Sequence, residues 1–233
     1  QVTTQLASAQ DLTTRTIYTQ VGADLSVSVN DPAEAKNVSF AILTNLTSNV
    51  ENSTIEYSFS ANVAGANYIT VNIRAVQIES WLKAAYYESD MFTGKNVEDA
   101  FQSLLTQKDG IILEKSIGQL LDLKVGDFIT LTFGNTSKRM VVVGYFGPET
   151  GNAQSFGSMY WSYVSEDFYN EVNDSASVSS TRILLKLEPG VNGTAAAENV
   201  RNLGLKIGTV DSFAEEYTLS QSDVATVGSQ DAQ

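Results

Sequence analysis

The spacing of apolar positions changes several times along this chain, and each change predicts an element. Val2, Leu6, Leu12 and Ile17 fall near one face of a helix whose other positions are filled mostly by Thr and Gln. Gly22 is placed to stop that helix. From Leu25 the period becomes two, with Leu25, Val27 and Val29 alternating against Asp24, Ser26 and Ser28, which predicts a half-buried strand. Asp31 can then cap a second helix and Pro32 suits its first turn, with Val38, Ile42 and Leu46 sharing a face. "STIEYSFSANV" and "NYITVNIRAVQI" alternate again around a turn at Gly65-Ala66-Asn67. The first 78 residues therefore read helix, strand, helix, strand, strand.

"ESWLKAAYYESDMFTGKN" is mixed and aromatic, without a clean period. "NVEDAFQSLL" predicts a helix, with Asn96 as its cap and Asp99 three residues on. Next come a short strand at "GIIL" and a helix over "EKSIGQLLDL" with Ile117, Leu120 and Leu121 on one face. The turn "KVGD" leads to strands "FITLTF" and "RMVVVGYF" joined by the polar loop "GNTSK". After the Gly- and Ser-rich loop "GPETGNAQSFGS", the aromatic strand "MYWSYV" runs into a helix capped by Ser165. The strand "TRILLKL", the turn "EPGVNG", the helix "TAAAENVRNL" and the strand "KIGTVDSF" follow, and the polar tail after Tyr217 has helical character. The fold class is α+β rather than a regular strand-helix-strand series.

With 233 residues, of which 42% are hydrophobic and 18% charged, the chain can form one large domain or two small ones. Its net charge of -13 repels phosphate backbones and anionic head groups, which argues against nucleic acid and a polybasic membrane role. It contains neither histidine nor cysteine, which rules out disulfides, a Ser-His-Asp triad and a thiolate or imidazole metal site built from this chain alone. No run of about 18 apolar residues is present, so no segment reads as a bilayer span. Both ends read as cut from something longer, either a soluble piece of a membrane protein or a mature secreted protein.

Asp127 in "VGD" is a candidate acid or metal ligand, but Gly-Asp between a helix and a strand is first of all turn chemistry. The acidic pairs Glu166-Asp167 and Glu215-Glu216 suit helix starts better than two carboxyls facing across a glycosidase cleft. No Gly-Lys-Ser/Thr phosphate loop occurs. Trp81, Tyr86, Tyr87, Tyr160, Trp161 and Tyr163 can line a groove or fill a core, and Tyr160, Trp161 and Tyr163 form the candidate aromatic contact surface. Sequons begin at Asn37, Asn45, Asn52, Asn135, Asn173 and Asn192; the first two fall on a predicted helix, leaving Asn52, Asn135, Asn173 and Asn192 as candidate glycosylation acceptors.

The order of the pieces carries a resemblance. "GADLSVSV", a Pro-started helix, "YITVNIRAVQIESW", "DGIILEKSIGQLLDLKVGDFITLTFGNTSKRMVVVGYFG" and "TRILLKLEPGVN" together resemble the MacB-like extracytoplasmic domain of ABC transporter permeases of the MacB, LolC/LolE and FtsX-like family. Gly110–Leu113, Ser116–Leu123, Val125-Gly126-Asp127 and Val141–Tyr145 match the strand, helix, turn and strand of that family's core. A Gly-Val-Asp expected after the second hairpin strand is replaced by Ala75-Val76-Gln77.

The resemblance implies a domain inserted between two membrane helices, outside the cell membrane. It implies a porter-like α/β subdomain formed by both chain ends (1–78 and 181–233) and a smaller mixed, β-rich subdomain inserted at 79–180. The Val2–Ile17 helix would continue a first membrane helix, and the tail after Tyr217 would lead to a second. The implied partners are the protein's own membrane helices, a cytoplasmic ABC ATPase that holds the ATP, a second permease subunit, and a substrate or surface partner. No catalytic, cofactor-binding or metal-binding residue is carried over, and the domain is expected to transmit motion rather than to be an enzyme. The alternative from another class is a stand-alone secreted or cell-surface module binding glycan or peptide, suggested by the acidic composition, the sequons and the aromatic cluster. A carboxylate hydrolase ranks third.

Overall fold

The computed structural model describes residues 2–148 and 161–230, with side-chain surroundings from residue 11 to 148 and from 161 to 223. Helix α1 (Val2–Val21) leads into β1 (Leu25–Ser28), and a 3-10 turn at Pro32–Glu34 opens α2 (Ala35–Asn45). The long hairpin β2 (Val50–Val63) and β3 (Ala66–Val76) is followed by α3 (Ile78–Ala84), β4 (Phe92–Thr93) and α4 (Val97–Thr106). Next are β5 (Gly110–Glu114), α5 (Lys115–Leu120), β6 (Phe128–Phe133) and β7 (Thr136–Phe146). The chain finishes with β8 (Ser162–Ser165), α6 (Glu166–Val172), β9 (Ser180–Leu187), α7 (Gly193–Arg201), β10 (Val210–Ser212) and α8 (Phe213–Gln230). The fold is α+β, as the sequence pattern predicts.

The caps read in the sequence are made. Asp31 accepts from the Ala33 amide, Asn96 from Asp99 and Ser165 from Phe168; Asn192, not among the expected caps, accepts from Ala195 in the same way. Several segments differ from expectation; the expected strand "KIGTVDSF" is paired only over Val210–Ser212, and its Phe213 already starts α8. The aperiodic "IESWLKA" is a helix, because Ile78, Trp81 and Ala84 fall on one buried face. Helix α5 stops at Leu120 instead of reaching Leu123: Asp122 adopts a left-handed φ of 51°, and the Leu123 amide reaches back to the Gly118 carbonyl at 2.8 Å. The expected loop "GNTSK" is only a tight turn at Gly134-Asn135, and β7 begins at Thr136, since its polar Thr, Ser and Lys side chains alternate on a paired strand.

The ten strands form one mixed sheet in the order β10-β1-β9-β2-β3-β8-β5-β7-β4, with β6 between β7 and the far end of β2. Among the described residues, β3–β8 and β5–β7 are the parallel pairs and the other ladders are antiparallel. Following the ladders β2–β3, β3–β8, β8–β5, β5–β7, β7–β6 and β6–β2 returns to the starting strand, so six strands close on themselves and β9, β1 and β10 extend outward from β2.

Side-chain alternation divides the interior in two. Tyr57, Phe59, Ala61 and Val63 of β2 face the larger core with Ile73 of β3, Leu131 and Phe133 of β6, Val142 of β7 and Phe168 of α6. This core also takes Ile42 of α2 and Ala197 and Val200 of α7. The opposite face of β3, β5, β7 and β8 carries a smaller core of Val76, Trp81, Phe92, Phe101, Leu104, Ile112, Val143 and Tyr163 beneath α3 and α4. Phe133 is fully buried, with ring centroids 5.9 Å from Phe59 and 5.5 Å from Phe168. Phe133→Ala is expected to cost about 3–5 kcal/mol of stability, measured by urea unfolding.

Candidate functional site

The polar face of β2 is buried over its middle, at Thr54, Glu56 and Ser58. Glu56 sits on it with 1% of its surface exposed. Strand register places Arg182 of β9 directly opposite Glu56, and Arg74 of β3 diagonally across from it, opposite Ser58. Arg182 Nε donates to Glu56 Oε2 at 2.6 Å, and Trp81 Nε1 from α3 donates to Oε1 at 2.7 Å. Arg74 Nε lies 3.7 Å from Oε2, close enough for charge attraction but not for a hydrogen bond. Arg74 is held by the Tyr163 hydroxyl at 3.4 Å and by the Trp161 ring, 4.0 Å from its guanidinium carbon.

Burial works to raise the Glu56 pKa, but the charges of Arg182 and Arg74 and the hydrogen bonds from Arg182 and Trp81 outweigh it and bring it down to about 2. Burial likewise opposes the Arg74 charge, and Glu56 more than restores it. Glu56 and Arg74 therefore keep their charges inside the protein.

Arg182 has a second task. Its Nη1 donates to the carbonyls of Gln20 and Val21 at 3.1 and 3.0 Å, which are orphan acceptors at the C-terminus of α1. Gly22 makes this approach feasible. Its φ is 90°, and a Cβ there would stand 2.6 Å from Arg182 Nη2. One guanidinium thus ties the end of α1 to the centre of the sheet.

The rest of the α1 root is aromatic and ionic. Tyr18 stacks on Phe213 of α8 at 3.9 Å and on Tyr86 at 5.0 Å, and Phe213 continues the stack to Tyr217 at 5.6 Å. The Tyr18 hydroxyl donates to Asp24 Oδ1 at 3.0 Å, while Asp24 Oδ2 accepts from the Leu187 amide at 2.8 Å. Burial and then Asp24 push the Tyr18 pKa up to about 12, so the phenol keeps its proton. Arg15 donates twice to Glu88, at 2.5 and 3.2 Å. Glu88 also accepts from the Tyr86 hydroxyl at 3.1 Å.

Leu25 of β1 pairs with Ser212 of β10, so α1 enters and α8 leaves at the same end of the sheet. The β2–β3 turn lies at the other end. The two terminal helices are rooted side by side, and Tyr18 of α1 stacks on Phe213 of α8 there.

The residues singled out in the sequence are scattered over this frame. Tyr163 is 2% exposed and belongs to the smaller core, because β8 lies inside the sheet between β3 and β5; it forms no contact surface. Trp161 is half-buried beneath Arg74, and Tyr160 lies outside the described residues. Trp81 is buried at Glu56, and Tyr86 belongs to the α1 root. Tyr87 stacks on Trp81 at 5.4 Å. Asn135, Asn173 and Asn192 are exposed, and Asn52 is half-buried on β2. Asp127 closes its turn by accepting from the Lys124 amide at 2.8 Å. Glu166 pairs with Lys36 at 3.5 Å, and Glu215 with Arg201 at 2.9 Å.

Sequence reasoning missed Glu56, Arg74 and Arg182. The available signal was a charged residue flanked by apolar and small polar residues within each of three strands: Glu56 in "STIEYSF", Arg74 in "VNIRAV" and Arg182 in "STRILL".

No protein-family model matches the chain, and no curated protein sequence matches it. Solved structures do. The periplasmic region of MacB from Actinobacillus actinomycetemcomitans superposes with a TM-score of 0.49 at 14% identity, covering 87% of this chain and 93% of that one. The extracellular domain of the noncanonic ABC-type transporter YknZ from Gram-positive bacteria gives 0.44 at 12% identity, covering 76% and 93%. A domain of a putative permease protein from Porphyromonas gingivalis gives 0.42 at 10% identity, covering 75% and 76%. No described helix of this chain is long and apolar enough to cross a membrane.

Because the folded pKa of Glu56 lies below its ordinary value of 4.5, its stabilisation is complete above that value and is lost as the pH falls toward about 2. Glu56→Gln is expected to cost about 3–5 kcal/mol at neutral pH by leaving two buried cations uncompensated. It should also flatten the stability profile between pH 4.5 and 2, read by denaturant unfolding across that window. Gly22→Ala is expected to lose at least about 1–2 kcal/mol, seen as a lower Tm, from the left-handed backbone it must keep.

Proposed function

We propose that this chain is the extracytoplasmic domain of an ABC transporter permease of the MacB/FtsX type, sitting outside the cell membrane and relaying ATP-driven motion. The observation that carries the reading is the shared root of α1 and α8: both terminal helices join the sheet at one end, stacked through Tyr18 and Phe213. The ordered series of sequence segments that resembles this family supports it independently.

In this reading α1 and α8 are stalks leading toward two membrane helices. Twenty residues of α1 span about 30 Å, enough to hold the sheet well clear of a bilayer surface. The root is stiff by construction. A tilt of α1 must either carry the sheet with it or break the Arg182 bonds, the Arg15–Glu88 pair and the aromatic stack. Residues 1–78 and 181–233 form the lobe that holds the stalks, and 79–180 form the inserted lobe. The β3–β8 and β2–β6 ladders couple the two. Tyr68 and Phe128, 87% and 53% exposed, lie toward the β2–β3 turn, where a substrate or surface partner would meet the moving end.

ATP is held by a separate cytoplasmic subunit or domain in this scheme, and two permease subunits pair. The domain itself performs no chemistry.

These 233 residues contribute no cysteine, so a single spin label can be placed in them once any cysteines elsewhere in the assembly are replaced. Leu12→Cys, on the exposed flank of α1, is to be labelled in the whole permease assembled with its ATPase in lipid nanodiscs. The expected outcome is an inter-subunit label distance that shifts by several ångströms between nucleotide-free and ATP-bound states. An unchanged distance distribution removes the transmitter role. A gene in which no apolar segment of about 20 residues flanks this region returns the chain to a stand-alone surface binding module.

A further inference from the structure

One cleft lies apart from the helix roots. It occupies the larger-core face, between the start of α2 and helix α6, with a volume of about 370 Å³. Tyr57 of β2 and Tyr169 of α6 line it, their rings stacked at 4.3 Å. Asp31 and Lys36 line it from the α2 side, and Asp174 from beyond α6.

Its polar groups are only partly used. The Tyr57 and Tyr169 rings are 4% and 7% exposed, yet among the described residues neither hydroxyl makes a hydrogen bond. Burial, followed by the nearby Glu166 carboxylate, pushes the Tyr57 pKa up to about 12 and raises that of Tyr169, so both phenols stay protonated and can accept or donate. Glu166 is not one of the residues lining the cleft, but it touches one that is: its Oε1 is 3.5 Å from Lys36, and its Oε2 is buried without a hydrogen-bond partner among the described residues. A buried carboxylate oxygen left unpaired is costly unless something else supplies a donor.

The charge balance decides the ligand class. The one cation lining the cleft, Lys36, is already paired with Glu166. Asp31 spends one oxygen on the Ala33 amide and keeps the other. Asp174 forms no ion pair among the described residues. What remains is negative charge next to aromatic rings, a setting that favours an ammonium or guanidinium group on an apolar body.

We propose that the cleft between α2 and α6 binds a small organic cation, its charged group held by Asp31 and Asp174 and its body against Tyr57 and Tyr169. This site goes beyond the permease reading and does not depend on it. It lies on the face of the sheet opposite Glu56, and a ligand there would bridge α2 to α6.

The test is an amide-resolved NMR titration of the isolated domain with phenethylamine, with 2-phenylethanol and phenylacetate as neutral and anionic isosteres. The expected result is saturable binding of phenethylamine, with shifts centred on Lys36, Asn170 and Asn173, and at least about tenfold weaker binding by either isostere. The double variant D31N/D174N keeps side-chain shape and the helix cap, and should weaken phenethylamine by about tenfold while leaving the remaining amide spectrum unchanged. A second readout on the unaltered domain is ionic strength: added salt should weaken the amine and leave the alcohol unaffected. Equal binding of all three compounds, shifts centred elsewhere, or no salt dependence would overturn the assignment.

Discussion

Glu56 is ionised where water barely reaches it, and the shape of the domain follows from the groups that make this tolerable. A lone buried carboxylate would cost several kcal/mol or take up a proton. Here Arg182 and Arg74 arrive from the two neighbouring strands and Trp81 from the helix above. Each of these partners is itself committed elsewhere. Arg182 holds the end of α1, Arg74 packs over the Trp161 ring and against Tyr163, and Trp81 stacks with Phe101 in the smaller core at 4.9 Å. The carboxylate thus fixes three strands, the root of α1 and the cover of the smaller core relative to one another.

That cluster explains why the root of α1 can be stiff while α1 itself is mostly polar. Helices of this kind gain little from burial of their own surface and depend on tertiary contacts at their ends. Among the described residues, the last two turns supply such contacts at Arg15, Tyr18 and the carbonyls of Gln20 and Val21. The same turns meet α8 through Phe213, so a force applied to either helix enters the sheet at one place.

Most of the elements were legible in the chain because their signals are local. Period-two runs marked β1, β2 and β3, caps at Asp31, Asn96 and Ser165 marked helix starts, and the Lys124–Asp127 turn followed from Gly126-Asp127. Where local reading failed, a long-range contact or a single backbone angle had decided. Asp122 in a left-handed conformation ended α5 early, and burial under α3 and α4 gave Tyr163 to the core instead of a surface. Glu56 was unreadable as a site for the same reason: alternation puts it on the polar face, and nothing nearby in sequence says that this face is covered.

The sequence by itself determined the fold class, the order of elements and the absence of any histidine- or cysteine-based chemistry, because composition, periodicity and capping act over a few residues. Tertiary structure alone decided three things: that six strands close on themselves, that Glu56 is answered by arginines 18 and 126 positions away, and that the two terminal helices share one root. Each of these depends on strand register, and register is set by which faces are buried across the whole sheet, not by any one segment.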